Sequence, residues 1–243
     1  MTSTVNINGR FGNHFIRNVL ISILAKKHNL KVEYSYKEEI ESLGIELFSG
    51  DLIHSKSIEL NDSNLMTYLM SNTELSLNFT FKFHCYFQTK QISNYLHFYL
   101  QKPDIKDAII ASNQYKERYN TNTDAFVHVR LGDVISYNPG FAYYDNAISA
   151  LEFSTLYISS DSIDHEICQS IIKKFPNSVV IDYSIIDIIK FASTCKYVIL
   201  SHGSFSATIG NLSYYSSVYY PKYDKKRIWY GDMFSVESWN EIS

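Results

Sequence analysis

The chain has 243 residues, enough for one large domain or for two lobes that each bury a core. Its net charge of −3 and the lack of any dense Lys/Arg run argue against a nucleic-acid partner. Twenty Tyr and fifteen Phe against nine Gly and four Pro indicate a well-packed globular protein and exclude a disordered one.

The cysteines and the amino-terminal residues exclude other classes of protein. Cys85, Cys168 and Cys195 are odd in number and widely spaced, which argues against a disulfide framework and against a zinc cluster. Residues 1–8 lack the basic and apolar regions of a signal peptide. No uninterrupted apolar run approaches the roughly 20 residues that span a bilayer. The sequence therefore predicts a cytoplasmic protein without a membrane span.

In the first half of the chain, the residue pattern predicts a strand at residues 4–7, a loop at 8–13 and a helix that runs to about Lys27. Apolar residues recur along that helix at i, i+4 and i+8, which is typical of one buried face. A second strand is predicted at 31–36, with helices near 64–70 and 91–100. Pro103 and the polar segment 114–123 predict a lobe boundary, with lobes at 1–115 and 116–243.

The second half alternates strand and helix signals more regularly. Strands are predicted at 126–130, 156–159, 178–181, 197–200 and 218–220, with helices near 164–175, 185–193 and 205–214. Alternating β and α elements of this length are typical of a parallel sheet that is covered on both faces. The sequence therefore predicts the α/β class.

One predicted strand ends in charged and polar residues. His128 and Arg130 are two residues apart, so they share a face, and Gly132-Asp133 supplies the turn. Ligands bind at the carboxyl ends of strands in open α/β sheets, and the arginine fork suits a phosphate group. Alternatively, Arg130 pairs with Asp133 and only closes the strand end. The strand by itself favours neither interpretation.

A glycine-containing loop links the first predicted strand to the first helix. Gly9 and Gly12 allow positive φ angles and a close approach of a ligand to the backbone. The amino-terminal N–H groups of the following helix would point toward that ligand. The loop lacks the spacing of known phosphate loops, and by itself it is more typical of a tight turn with Asn13 as the helix N-cap.

A second candidate loop, residues 201–207 (SHGSFSA), directly follows a predicted buried strand. Its hydroxyl and backbone N–H groups would lie at the start of a helix, where anions bind favourably. The simpler alternative is an ordinary serine N-cap.

Together these segments resemble a known enzyme family. Residues 9–14 (GRFGNH) are similar to the G-x-x-G-N-Q signature of the α-1,2-fucosyltransferases (glycosyltransferase family 11) and, in their GRFGN core, to the protein O-fucosyltransferases. Residues 128–133 (HVRLGD) resemble the family's H-x-R-R-x-D element, and 195–206 resemble its carboxyl-terminal C-x(n)-[ST]-F-[SG] element. Smaller similarities lie at 86–88, 143–148 and 159–161. Order and spacing hold over nearly the whole chain.

The resemblance implies a GT-B fold, in which two Rossmann-like lobes with mostly parallel sheets face each other. The amino-terminal lobe would lie on the acceptor side, and the carboxyl-terminal lobe would bind the donor, GDP-β-L-fucose. Arg130 would bind the diphosphate and His128 the nucleotide. The remaining implied contacts are Ser204, Phe205 and Ser206 with the phosphates and Asn13 with the fucose and the acceptor.

The implied reaction is inverting transfer, in which an acceptor hydroxyl on a glycan attacks C1 of the sugar opposite the departing GDP. Arg130 and helix-end N–H groups can stabilise the charge on the leaving diphosphate without a metal. The chain contains no Asp-x-Asp, which fits a reaction without a metal or any cofactor besides the donor substrate. Asp133, Asp145 and Glu152 are candidates for the general base by their expected position near the cleft, and the sequence does not rank them.

Two alternatives stay open. The second arginine of the family's H-x-R-R-x-D element is Leu131 here, and Asp187 stands one residue from the place of the family's guanine-binding carboxylate. These departures leave room for transfer of another deoxyhexose, such as rhamnose, from a different nucleotide. The other alternative is a non-catalytic module that binds a glycan or a nucleotide on the same fold.

Overall fold

The computed structural model of this protein describes residues 2–3, 9–81, 85–222 and 231–243. Its helices are α1 (Phe11–His28), α2 (Lys37–Ser42), α3 (Leu65–Met70), α4 (Lys90–Leu100), α5 (Pro103–Ser112), α6 (Phe141–Ser149), α7 (Glu166–Lys174), α8 (Ile185–Ala192) and α9 (Ser204–Leu212). Its strands are β1 (Thr2–Ser3), β2 (Val32–Glu33), β3 (Ser57–Leu60), β4 (Asn78–Phe81), β5 (Ala125–Val129), β6 (Leu156–Ser160), β7 (Val179–Val180), β8 (Tyr197–Ile199), β9 (Ser217–Pro221) and β10 (Asn240–Ile242). Short 3-10 helices occupy Lys116–Arg118 and Gly132–Tyr137. The predicted opening strand at 4–7 lies outside the described residues.

Six parallel strands form the central sheet, in the spatial order β7-β6-β5-β8-β9-β10. The chain runs outward from β5 to β7 and then returns to the other side of β5 as β8. Val127 is in register with Ile158 of β6 and with Ile199 of β8. This is the strand order of a doubly wound sheet, and its direction reverses between β5 and β8, where such sheets bind ligands. The predicted α/β class with mostly parallel sheets is confirmed. Two smaller parallel pairs, β1-β2 and β3-β4, belong to the first half.

The elements predicted for residues 126–220 are all present, and their ends differ from the predicted ones by at most two residues. The predicted helix ending near Lys27 and those near 64–70 and 91–100 are also confirmed, as α1, α3 and α4. The second predicted strand is shorter, only Val32–Glu33. Pro103, predicted near a boundary, begins α5, where the missing N–H of proline has no cost.

The sequence did not predict α2, α5, α6, β3, β4 or β10. The β3 and β4 strands pair with each other, so each depends on a partner distant in the chain. The α6 segment contains Phe141, Tyr143 and Tyr144, residue types that favour strands. Packing overrides that preference, because Tyr144 is fully buried against the sheet in the cluster that contains Val127.

The two faces of the central sheet belong to different hydrophobic clusters. Val127 and Val129 pack with the α6 and α7 side chains on one face. Phe126 and Val198 belong to a larger cluster on the other face, which takes in α8 and α9. That second cluster continues into the first half of the chain through α1, including Phe15. One apolar core therefore crosses the predicted 115/116 boundary. Among the helices of the described residues, none combines the length and apolar character that crossing a bilayer requires.

Helices α1 and α9 meet at their amino-terminal ends. A Cβ added to Gly12 would lie 2.4 Å from the backbone nitrogen of Phe205 and 2.5 Å from the carbonyl carbon of Ser204. Only glycine fits this approach of two backbones. Of the two loop glycines, Gly9 alone has a positive φ, at +126°, while Gly12 already belongs to the helix. The close approach places both loops of the predicted motifs side by side.

Candidate functional site

A cavity of about 790 Å³ lies where the two halves of the chain face each other. Its floor is the carboxyl edge of the central sheet. His128 lies near the end of β5 and Arg130 directly follows that strand, Ser160 ends β6 and Asp161 follows it, and His202 comes after β8. The first half of the chain closes the opposite side with residues 9–13 and with Tyr36, Tyr86 and Gln88. The volume is typical of a small-molecule site, and its place is the ligand position of a doubly wound sheet.

Two arginines and two aspartates form an alternating cluster of charges in this cavity. The Arg130 guanidinium contacts the carboxylates of Asp133 and Asp161. Arg10 reaches the same two groups from the opposite half, with Nη2 3.3 Å from Oδ1 of Asp133 and Nη1 3.3 Å from Oδ2 of Asp161. The Arg130 side chain is only 12% exposed, whereas that of Asp133 is 59% exposed. The ion pair that the simpler interpretation expected is therefore present, and the same arginine also lines a cavity.

The two arginines and the two aspartates balance each other's charge, and Arg130 remains a cation. Burial and the neighbouring Arg10 lower the pKa of Arg130, while Asp133 raises it. An arginine stays charged through such shifts. The ion pair between Arg10 and Asp133 is exposed, with side chains 62% and 59% exposed, and such a pair contributes only about 0–1 kcal/mol, so a doubly charged ligand can displace it. Arg10 and Asp161 were not predicted as site residues, although they belong to the similarities at 9–14 and 159–161. The sequence signal that could have identified Asp161 is its place just after a predicted strand. In the structure its Oδ1 accepts a hydrogen bond from the Leu131 N–H at 2.9 Å.

Two helices begin at the cavity without a capping side chain. The N-cap of α1 is Arg10 and that of α9 is Gly203, and neither makes a side-chain cap hydrogen bond. Both N-cap predictions are therefore wrong, because Asn13 lies in the first turn of α1 and Ser204 is the first residue of α9. Gly203 has a φ of +95°, a conformation that favours glycine. The first N–H groups of a helix lack the intrahelical partners of later turns, and together with the helix dipole they make such an end suitable for an anion.

His128 faces the cavity as a neutral ring. Its Nδ1 lies 2.6 Å from Oγ of Ser206, and the Phe205 ring stands edge-on at 5.2 Å. Burial, followed by the positive charge of Arg130, lowers the pKa of His128 to about 3. The same two causes lower the pKa of His202 to about 4. Both histidines therefore offer uncharged hydrogen-bonding groups at neutral pH.

The predicted phosphate contacts divide into two groups. Ser204 and Phe205 line the cavity, together with Gly203. Ser206, the residue after Phe205 in α9, is fully buried and does not line the cavity. Its hydroxyl is hydrogen-bonded to His128. The Ser206 hydroxyl is therefore a partner for the histidine in this structure rather than for a ligand.

Asn13, Gly9 and Gly12 all lie at the cavity, as the glycine loop predicted. The Nε2 atom of Gln88 donates a hydrogen bond to Oδ1 of Asn13 at 2.8 Å. A Cβ on Gly9 would come within 2.2 Å of Nδ2 of Asn13, so the asparagine amide fills the space that the glycine leaves. Gln88 was noted in the sequence only as part of a minor similarity.

Three predicted residues lie away from the cavity. Asp187 accepts hydrogen bonds from Nε2 of Gln114 at 2.9 Å and from Oγ of Ser184 at 2.7 Å, while Ile185 and Ile188 of the same helix line the cavity. Asp145 of α6 pairs with Lys174, and neither it nor Glu152 is a lining residue. The expectation that Asp145 and Glu152 stand near the cleft is therefore wrong, and Asp133 is the candidate base that does line it.

The sequence did not predict the aromatic lining, which comes from residues outside the α-helices and strands of the structure. Tyr36, Tyr86, Tyr137 and Phe234 contribute ring surface to the cavity. Tyr36 has a φ of +53°, a strained conformation for a bulky residue and one that tends to occur at functional sites. Such surfaces suit the apolar faces of a sugar or a base.

Within the described residues, no group of three or more His, Cys, Asp or Glu side chains is arranged to hold a metal ion. No protein-family model matches the chain, and no curated protein matches it with significant sequence similarity.

Proposed function

We propose that this protein is an inverting glycosyltransferase that moves L-fucose from GDP-β-L-fucose to a glycan hydroxyl. The observation that carries the proposal is the convergence of Arg130, Arg10 and the uncapped starts of α1 and α9 on one cavity, at the reversal point of a doubly wound sheet. Such an arrangement suits a diphosphate, because two cations and two helix starts line the same cavity.

The same groups account for the chemistry. Departure of GDP places negative charge on the β-phosphate, and Arg130 with the N–H groups of α9 stabilises that charge. When the diphosphate binds the two arginines, it releases Asp133 from its ion pairs. The freed carboxylate is then available as the general base for the attacking hydroxyl, with a transition state of oxocarbenium character.

The proposed architecture is a GT-B arrangement of two Rossmann-like lobes, 1–115 and 116–243. Support comes from the doubly wound order of the second sheet and from a cavity lined by both halves of the chain. The apolar core shared through α1 and α9 means that the two proposed lobes would move little against each other.

The choice of fucose and of a guanine nucleotide rests on the motif resemblance at residues 9–14, 128–133 and 195–206. One observation favours the second candidate, transfer of another deoxyhexose such as rhamnose from a different nucleotide. Asp187 is turned away from the cavity and is engaged by Gln114 and Ser184, so the base would contact the Ile185 and Ile188 side chains instead.

The test measures thermal stabilisation and calorimetric affinity with GDP, UDP and dTDP, each with and without a chelator. A ligand at 100 times its Kd stabilises the fold by about 2.7 kcal/mol, which gives a clear shift in Tm. We expect GDP to bind, with an affinity that the chelator leaves unchanged. Preference for UDP or dTDP supports the second candidate, and failure of all three overturns the nucleotide site.

Turnover is then measured as GDP release from GDP-β-L-fucose over a panel of glycan acceptors. Acceptor-dependent release with inverted, α-configured product is the expected result. Tight GDP binding without release for any acceptor or donor sugar instead supports the non-catalytic binding module.

A further inference from the structure

Gln88 is held in a way that determines how Asn13 meets a ligand. Its side chain is only 3% exposed although it lines the cavity, and its Nε2 donates to Oδ1 of Asn13 at 2.8 Å. An amide whose oxygen is engaged has its NH₂ group left for other partners. The Nδ2 atom of Asn13 packs against Gly9, and any larger residue at position 9 would displace that atom.

The segment that carries Gln88 is fixed from several directions. Phe87, immediately before it, is fully buried with a φ of +57°, a strained conformation for an aromatic residue. The Phe87 N–H donates to Oδ1 of Asp62 at 2.9 Å. A Cβ on Gly231 would lie 2.4 Å from the Gln88 carbonyl oxygen, so Gly231 packs directly against this residue. Strain of this kind persists only where the surrounding structure holds it.

We infer that Gln88 is a positioning residue, which fixes the Asn13 carboxamide so that its NH₂ group, a hydrogen-bond donor, is offered to the sugar end of the bound substrate. The inference rests on the proposed function and extends it in one respect. Asn13 contacts an oxygen acceptor of the transferred sugar or of the acceptor hydroxyl, and it takes no part as a base. Such a contact orients the reacting groups and affects the transition state more than nucleotide binding.

The decisive variant is Gln88→Glu. A carboxylate at this place accepts hydrogen bonds only, so it attracts Nδ2 of Asn13 and turns the amide oxygen toward the cavity. We expect kcat to fall at least tenfold, equal to the fall in Asn13→Ala, while GDP affinity changes by less than about threefold. The double variant Gln88→Glu/Asn13→Ala is expected to be no slower than Asn13→Ala alone, because both changes remove the same contact.

The matched control is Gln169→Glu, since Nε2 of Gln169 also donates one hydrogen bond, to the Ile163 carbonyl at 3.0 Å, outside the cavity lining. It is expected to leave kcat and GDP affinity unchanged. Additive losses in the double variant, or a fall in kcat explained by a lower fraction of folded protein, overturn the positioning role.

A readout without turnover separates this inference from the proposed function. The side-chain amide of Asn13 is observed by NMR in protein labelled with ¹⁵N-asparagine, and it is assigned by its absence in Asn13→Asp. We expect Gln88→Glu to shift this signal and Gln169→Glu to leave it in place. An unshifted signal in Gln88→Glu contradicts the inference even if the protein proves to bind no nucleotide. A shifted signal with no GDP binding contradicts the proposed function alone.

Discussion

At the scale of single residues, the site is defined by competition between carboxylates and a ligand anion for the same arginines. Arg130 is nearly buried and cannot lose its charge, so some anion must always accompany it. Asp161 is held by the Leu131 N–H and serves as the permanent partner. Asp133 is exposed and, among the residues that the structure describes, pairs with the two arginines, so it is the partner that a diphosphate can replace.

Replacement of Arg130 tests the anion site directly. We expect Arg130→Ala to lower turnover by a factor on the order of 100 or more, because the charge on the leaving phosphate loses its fork of donors. Arg130→Lys restores only part of that loss, since a point charge cannot bind two oxygens at once. Arg118→Ala is the control, an arginine paired with Asp124 outside the cavity lining. Retention of more than about half of the turnover in Arg130→Ala would remove this residue from the diphosphate site.

Asp133 gives opposite expectations for affinity and for rate. Asp133→Asn removes the competing charge, so GDP should bind up to about fivefold more tightly, the equivalent of an exposed ion pair of 0–1 kcal/mol. Turnover should fall by about 100-fold, because the general base is gone. Asp145→Asn, in a similar pair with Lys174, should change neither quantity. Unchanged turnover in Asp133→Asn would show that the base lies elsewhere.

At the scale of elements, the site depends on how closely α1 approaches α9. The two helix starts present their N–H groups to one cavity only because Gly12 lets the backbones touch. A second glycine, Gly210 near the end of α9, makes a comparable approach to the Trp239 ring, and neither residue lines the cavity. These two positions separate packing from function.

We expect Gly12→Ala and Gly210→Ala each to lower the free energy of unfolding by roughly 1–3 kcal/mol through overpacking. Only Gly12→Ala should also weaken GDP binding, by tenfold or more, because the two helix starts must move apart. Urea unfolding and calorimetry on the same preparations measure both quantities. Equal GDP affinity in the two variants would mean that the spacing of these helix starts does not matter for binding.

At the scale of the whole molecule, buried histidines make the folded state sensitive to acid. The pKa values of His14, His28, His97, His128 and His202 are all lowered, in each case chiefly by burial. These residues are spread over both halves of the chain. Below about pH 6.5 these histidines bind protons in the unfolded chain but stay neutral in the folded protein, so the free energy of unfolding decreases as the pH falls.

The expected loss follows from the two lowest values, about 3 for His128 and about 4 for His202. Each of these two histidines lowers the free energy of unfolding by about 1.4 kcal/mol at pH 5.5 relative to pH 8. Urea unfolding at pH 8, 7 and 5.5 measures the sum, with little change expected between the first two. His128→Asn should have a shallower dependence on pH, and an identical slope would contradict the burial of a neutral ring at this position.

The sequence by itself determined the elements whose signals are local. Alternation of strand and helix over residues 126–220 predicted the parallel sheet, because apolar residues recur with a period of 2 in strands and of 3.6 in helices. It also brought His128, Arg130 and the start of α9 to one edge, since the carboxyl ends of parallel strands meet there. These residues line the cavity as the pattern indicated.

Only the tertiary structure decided which neighbouring groups complete the site. Asp187 lies two residues from Ile185 and one from Ile188, but the rotation of α8 against the sheet turns the isoleucines to the cavity and the carboxylate away. Arg10 and Asp161 are 151 positions apart, and no local pattern predicts an ion pair at that separation. Local periodicity fixes an element and its apolar face, whereas the contacts between distant elements follow from how those faces pack.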